Sequence, residues 1–133
     1  MTSRRVKVVV RDLEKFTERL VQRIALNVVA NLQEDTPVDT GWARANWIPQ
    51  IGAPFSGTAG SREQAEAGQL DTATQQVGIA KVATGYRLGP PIFVTNNVPY
   101  IERLNEGSSS QAPAAFVQAA IFRAVRDTVA RAS

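Results

Sequence analysis

Cysteine and histidine are both absent from this chain of 133 residues. Without cysteine the chain has no disulfide, no thiolate metal site and no cysteine nucleophile. Without histidine it lacks the commonest general base and the commonest metal ligand, so a Ser-His-Asp triad cannot form. Carboxylate chemistry stays open, since Glu102 and Glu106 share one face of a short predicted helix, but a solvated helix face is the commoner meaning of that spacing. We therefore expect no enzyme activity, no cofactor and no metal.

Long apolar runs are also missing. No stretch approaches the length of a membrane span, and the first residues lack the apolar core of a signal peptide. We therefore expect synthesis in the cytoplasm and no membrane partner. The net charge of +3 and the pI of about 9.8 are mildly basic, which fits an ordinary surface or a position close to nucleic acid.

A long amphipathic helix is predicted to follow a short strand at residues 6–10, with Asp12 as its N-cap and its end near Asp35 because Pro37 cannot continue it. Its apolar face recurs at three- and four-residue steps. The residues of this face are Leu13, Phe16, Leu20, Ile24, Val28 and Leu32.

The polar side of this helix is interrupted by Leu26 and Val29. Scattered apolar surface residues are normal in soluble proteins. The alternative is burial on both sides of the helix, with a partner subunit covering the outer side. The sequence leaves both readings open.

The middle of the chain combines a turn, a strand and a long loop. Residues 36–41 are a turn by composition, and residues 42–48 alternate as a strand does. Residues 49–69 are rich in small residues and are predicted to form a flexible loop, in which residues 62–67 could form one helical turn. Residues 71–82 are either a short helix or a strand, because Gly78 weakens a helix.

The last third is predicted to hold a strand at residues 92–95, a brief helix opening at Pro99 and ending before Gly107, and a final helix starting at Pro113. The apolar face of that final helix comprises Val117, Ile121, Ala124, Val125 and Thr128. Helices and strands mix without a repeated βαβ order. We therefore expect residues 1–133 to form one α+β domain, with a small, mainly antiparallel sheet packed against a long N-terminal helix and a C-terminal helix.

Three segments stand out as motifs. Residues 36–47 read TPVDTGWARANW, residues 92–107 read IFVTNNVPYIERLNEG, and residues 111–117 read QAPAAFV. In this order they resemble the tail-completion, or head–tail joining, family of long-tailed bacteriophages. Members of that family place a TPVDTG turn after a long helix, a strand ending in NNxPY later, and QAP before the last helix. The resemblance covers most of the chain from Asp12 onward and departs after Gly107, where many relatives carry an aromatic residue or histidine.

The resemblance implies a structural virion protein of the neck between head and tail. Such proteins form rings, commonly hexameric, that contact the tail terminator protein and the head connector or stopper protein. DNA would pass through the lumen of the ring without sequence-specific contact. The alternative function is a small basic nucleic-acid-binding domain, which the basic pI and the two tryptophans support.

The residues themselves indicate structural roles. The predicted turn residues are Pro37, Asp39, Gly41, Asn97, Pro99, Gly107 and Pro113. The candidate subunit-interface residues are Leu26, Val29, Trp42, Arg44 and Tyr100. The aromatic ones suit a core or an interface better than base stacking. Arg44 has three readings: it pairs with Asp39, meets a neighbouring subunit, or faces a lumen.

Overall fold

The computed structural model describes residues 3–38, 41–109 and 112–132. It confirms the predicted class, since a small antiparallel sheet lies beside a long N-terminal helix and a C-terminal helix. In chain order the elements are α1 (Arg4–Asp35), α2 (Trp42–Ala45), β1 (Ile48–Ile51), α3 (Arg62–Glu66), α4 (Ala73–Gly85), β2 (Ile92–Thr95), α5 (Ile101–Asn105) and α6 (Phe116–Ala132).

The predicted strand at residues 6–10 is wrong, because these residues form the first turns of α1. The N-cap is Ser3, whose hydroxyl accepts a hydrogen bond from the Val6 N–H at 3.3 Å, and Asp12 lies inside the helix. The valines suggested a strand by propensity. Their spacing, however, continues the helical period of the residues that follow, and periodicity outweighs single-residue propensity. The end of α1 at Asp35 is as predicted, with the Thr36 N–H bonded to Leu32 O.

The predicted strand at residues 42–48 is also wrong. Trp42–Ala45 forms one helical turn, and β1 begins only at Ile48. Gly41 caps this turn with a φ of 80°, a backbone conformation that favours glycine. The helical turn buries three of its four residues, whereas alternation along a strand would have sent Trp42 and Trp47 to opposite faces.

The segment at residues 49–69 is not one loop. It holds most of β1, which pairs antiparallel with β2 from Ile48↔Thr95 to Ile51↔Ile92. It also holds α3, so the helical turn expected near residues 62–67 is confirmed. A capping box fixes its start, because Ser61 and Gln64 each accept the other's backbone N–H.

Helix α4 settles the choice between helix and strand at residues 71–82. Gly78 weakens this helix, but close packing requires a glycine at this position. A Cβ on Gly78 would lie 2.6 Å from the backbone oxygen of Pro49, so only glycine lets α4 approach β1 this closely.

Helix α6 packs antiparallel against the C-terminal half of α1. Asn27 Nδ2 donates to Thr128 Oγ1 at 2.8 Å, and Asn31 Nδ2 donates to Ala120 O at 3.1 Å. Between the helices lies the larger core cluster, which is formed by Val28, Leu32, Trp47, Ala112, Phe116, Ala120 and Ala124.

Two details of the final third differ from expectation. Pro99 and Pro113 precede their helices without opening them, because α5 begins at Ile101 and α6 at Phe116. The predicted apolar face of α6 is only partly right: Ala124 and Thr128 are buried, but Ile121 and Val125 are exposed. The reason is the rotation of α6 about its axis. The line of side chains that contacts α1 starts at Phe116 and lies beside the predicted face.

Candidate interaction surfaces

Acidic side chains do not cluster in the described part of the chain. It contains no group of three or more Asp, Glu, His or Cys side chains placed to hold a metal ion. Glu102 and Glu106, the only carboxylate pair considered from the sequence, are both exposed on or beside α5. None of the described helices is both long enough and apolar enough to cross a membrane.

Two grooves lie on opposite edges of α4. The first, of about 650 Å³, runs between β1 and α4 and has Lys81 as its one titratable lining residue. The second, of about 540 Å³, has Arg44 and the amides of Gln33, Gln75 and Gln76 among its lining residues. The Arg44 guanidinium donates from Nη2 to Thr36 O at 3.1 Å, which ties α2 to the end of α1. Its predicted pairing with Asp39 falls outside the described residues, as does the turn role of Asp39.

Buried polar side chains of the first motif form a network of hydrogen bonds. Trp47 Nε1 donates to the Thr36 hydroxyl at 2.8 Å, and that hydroxyl donates to Leu32 O. Asn46 closes a loop by accepting from the Ala59 N–H at 2.7 Å and donating to Ala59 O at 3.1 Å. Because buried amides and hydroxyls are costly unless paired, these contacts fix the local backbone.

The second motif docks on the first. Asn96 Nδ2 donates to Ala43 O at 2.9 Å. The rings of Trp42 and Tyr100 lie 6.0 Å apart at a tilt of 57°, within the range of favourable aromatic pairs. Val98 is buried in the same cluster.

Asn97, in the same motif, bonds to the 49–69 segment and not to the first motif. Its side-chain amide donates to Phe55 O and to Gly57 O, both at 2.9 Å. With the Asn46 contact at Ala59, this anchors the middle of the 49–69 segment to the domain. The segment therefore has more anchors than its sequence indicated, and its flexibility stays a prediction.

The third motif joins the second through Asn105. The Asn105 Oδ1 accepts the Val117 N–H at 2.9 Å, and the Asn105 carbonyl accepts the Ala115 N–H at 2.6 Å. Phe116 is buried against the same cluster as Trp47 of the first motif. The first motif therefore packs into one continuous unit with the second and third motifs, although more than 40 residues separate it from them in sequence.

The predicted interface residues do not form one surface. Val29 is 1 % exposed and Trp42 is 8 % exposed, both covered by the subunit's own elements. The interpretation that Val29 faces a partner is therefore corrected: α1 is wrapped on more than one side by its own chain. Leu26, Arg44 and Tyr100 are half-buried, and an interface role for them stays a prediction.

The clearest unpartnered surface lies on the first half of α1, and the sequence analysis did not identify it. All residues from 3 to 17 are exposed, although they include one apolar line along α1. We call this line the α1 stripe, and it consists of Val6, Val9, Val10, Leu13 and Phe16, each between 46 % and 59 % exposed. The sequence analysis placed Leu13 and Phe16 on the apolar face of the long helix and predicted a strand for the valines, so it did not identify this line as exposed.

A second exposed apolar line lies on α6. We call it the α6 stripe, and it consists of Ile121, Phe122 and Val125, which are 42 %, 69 % and 40 % exposed. Exposed apolar residues are normal when scattered, but a contiguous line of them is typical of a contact surface.

The opposite face of α1 is basic. Its exposed cations recur at three- and four-residue steps, so they share one side of the helix. They are Arg4, Lys7, Arg11, Lys15 and Arg19. Glu14 and Glu18 lie along the same side and reduce its net charge.

A search of family descriptions, of curated proteins and of solved structures finds no match to this chain.

Proposed function

We propose that the chain is a structural subunit of the neck of a tailed bacteriophage, a tail-completion ring protein that joins the tail to the head connector. One observation carries the proposal. The three segments that resemble this family form a single packed unit, linked by the Asn96–Ala43 hydrogen bond, the Trp42–Tyr100 pair and the Asn105 contacts to α6. This packing supports a common structural role for the three segments.

The distribution of polar and apolar groups also supports a role through contact. The buried amides of the motifs bond to backbone within the subunit, so they build a rigid framework and not a reaction site. The apolar surface that remains lies outside this framework, on the two stripes. A protein that works by assembly needs this combination of a fixed body and exposed apolar lines.

The proposed partners are further copies of the chain in a ring, commonly a hexamer, with the tail terminator protein on one face and the head connector or stopper protein on the other. The proposed location is the virion neck after synthesis in the host cytoplasm. DNA would cross the lumen with electrostatic contacts that ignore sequence, because no reading element is recognisable.

The test is a joining assay with the phage that encodes the chain. Without the gene, DNA-filled heads and complete tails should accumulate separately, and adding the purified protein should restore joined particles that electron microscopy can count. Joined particles in the absence of the protein would contradict the proposal. So would an arrest before the heads are filled with DNA.

Nucleic-acid binding is a second candidate, because the basic face of α1 gives it a specific surface. The two functions predict different behaviour of a double substitution, Arg11→Ala with Lys15→Ala. If duplex binding is the function, affinity should be high at moderate salt, fall steeply as salt rises, and drop further in this variant. If the neck function holds, binding should be weak and the same for duplexes of different sequence.

A further inference from the structure

The groove of about 540 Å³ beside α4 holds a cation that no described acid neutralises. Arg44 is half-buried in its lining, and its guanidinium makes one described hydrogen bond, from Nη2 to Thr36 O at 3.1 Å. The Arg44 Nε atom is enclosed and bonds to no acceptor. No described Asp or Glu forms an ion pair with this guanidinium. Because partial burial of a guanidinium is costly without a paired anion, the surroundings of Arg44 favour an anion.

Arg44 is the one charged group among the described lining residues of this groove. The other lining residues are small, apolar or neutral and polar. The neutral polar ones are Gln33, Thr72, Gln75 and Gln76. An anion would therefore meet one cation and no competing carboxylate in this lining.

The carboxylates nearest to the lining in sequence have other surroundings. Asp35 pairs with an arginine of α6 at 2.9 Å. Asp71 accepts a backbone N–H at 2.8 Å at the start of α4. Glu34 and Glu66 are exposed and form no described ion pair. None of the four neutralises Arg44.

The position of Arg44 is fixed by hydrogen bonds at both its backbone and its side chain. Gln75 is 3 % exposed, and its Nε2 donates to Arg44 O and to Trp47 O, both at 3.0 Å. The bond from Nη2 to Thr36 O holds the guanidinium end. A cation that is already held in place loses little conformational entropy when it binds a ligand.

We infer that this groove binds a carboxylate, with the Arg44 guanidinium as its cation. A guanidinium pairs with a carboxylate through two parallel hydrogen bonds, and Nη1 and the second hydrogen of Nη2 make no described bond. One cation balances the single charge of a carboxylate. The apolar lining residues Ala45, Ala65 and Leu70 suit a short apolar body on the ligand, and the volume lies within the usual range of small-molecule sites. This site is independent of the proposed neck function.

The first test is a titration of the purified protein with butyrate, followed by the amide chemical shifts in nuclear magnetic resonance. Saturable shifts are expected at Ala45, Ala65 and Gln76, which line the groove, and the neutral isostere butyramide should cause none. Arg44→Gln should raise the dissociation constant for butyrate about tenfold or more, because charge-assisted hydrogen bonds are lost. Shifts that do not saturate, or equal shifts with butyramide, would overturn the inference.

Lys81→Gln is the matched control for the loss of one positive charge. Lys81 is an exposed cation of the same helix face region but lines the other groove, between β1 and α4. Its replacement should change the dissociation constant for butyrate by about twofold at most. An equal weakening by Lys81→Gln and Arg44→Gln would mean that butyrate is attracted by overall charge, and the assigned site would fall.

Gln33→Glu keeps the inference testable even if Arg44→Gln folds poorly. Gln33 lines the groove three residues before Thr36, to which Arg44 is bonded. The substitution keeps the size of the side chain and places a carboxylate near the guanidinium. It should raise the melting temperature of the free protein and raise the dissociation constant for butyrate about fivefold or more. An unchanged affinity for butyrate would overturn the inference.

Asp39, five residues before Arg44 and outside the described residues, is the rival carboxylate within the chain. If the groove takes an external carboxylate, Asp39→Asn should leave the affinity for butyrate within about twofold of the wild type. A gain of about tenfold or more would mean that Asp39 itself neutralises Arg44, which would contradict the inference.

The carboxylate can belong to a free short acid or to a glutamate side chain of another protein. Titration with the acetylated tripeptide amide alanyl-glutamyl-alanine, beside butyrate, distinguishes the two sources. Tighter binding of the peptide identifies a protein side chain, and tighter binding of butyrate identifies a free acid. Binding of neither would overturn the inference without affecting the proposed neck function, which the joining assay tests separately.

Discussion

The two halves of α1 have the same kind of sequence and opposite surroundings. Residues 4–17 and residues 18–35 both carry apolar side chains at three- and four-residue steps. In the second half these side chains meet α4, α6 and the sheet, and Val29 and Leu32 are both 1 % exposed. In the first half every described residue is exposed. An amphipathic pattern thus indicates that a helix face will be covered, but it does not identify the chain that covers it.

The two halves of α1 should also differ in local stability. The second half gains from buried apolar surface and from inter-helix hydrogen bonds such as Asn27–Thr128. The hydrogen bonds described for the first half are all local: those of the helix backbone, the Ser3 cap and the Thr17 hydroxyl to Leu13 O. Local opening is therefore expected to be much easier in residues 4–17 of the isolated subunit than in residues 18–35.

The largest effect on the free energy of unfolding should come from truncating a buried side chain in the covered half of α1. Leu32→Ala leaves a cavity between α1 and α6 and should lower the free energy of unfolding by about 2–5 kcal/mol. Leu13→Ala removes the same atoms from the exposed half and should change that free energy by no more than about 0.5 kcal/mol. Denaturant unfolding at a concentration where the protein is monomeric measures both. Equal losses for the two variants would break the comparison between the halves.

Sequence reasoning succeeded where a pattern depends on neighbours in the chain. The α+β class, the end of α1 before Pro37, the strand at Ile92–Thr95 and the glycine turn at Gly107, with a φ of 94°, all follow from local chemistry. It failed where the outcome depends on distant partners. Residues 6–10 and residues 42–45 were predicted as strand but are helical, and only Ile48 of the predicted strand at residues 42–48 joins the sheet. Gly78 is explained only by its contact with Pro49.

The candidate surfaces show the same limit. Leu26 and Val29 were chosen as interface residues because they broke the polar face, yet Val29 is buried by its own subunit. Leu13 and Phe16 of the α1 stripe were placed on the same apolar face as Val28 and Leu32 because their spacing continues the same period. Period gives the direction of a side chain around the helix axis. Where burial stops along that axis depends on how far α4, the turn at Leu88 and α6 reach along α1.

A smaller loss should follow from removing a hydroxyl in the covered half. Thr36→Val leaves Trp47 Nε1 buried without its acceptor, which should cost about 1–3 kcal/mol. Thr17→Val is the matched control, since the Thr17 hydroxyl also donates to the carbonyl four residues back, at 2.8 Å from Leu13 O, but in the exposed half. It should have an effect near zero in the same unfolding measurement. A comparable cost at both positions would mean that the helix-internal bond matters and the Trp47 contact does not.

The smallest effect should occur at the boundary between the halves. Glu18 accepts the Leu88 N–H and lies 3.8 Å from Arg87 Nη1, so it is the residue at which α1 first engages the body. Glu18→Ala should cost about 0.5–1.5 kcal/mol, the usual range for one hydrogen bond. It should also shift the onset of amide protection in hydrogen exchange towards Gln22, the next anchor, whose Nε2 donates to Val82 O at 3.0 Å. Glu14→Ala, one turn earlier and exposed, should leave that onset unchanged. If protection in the monomer already begins well before Glu18, the first half of α1 is stabilised by the subunit itself, and the division between the halves does not hold.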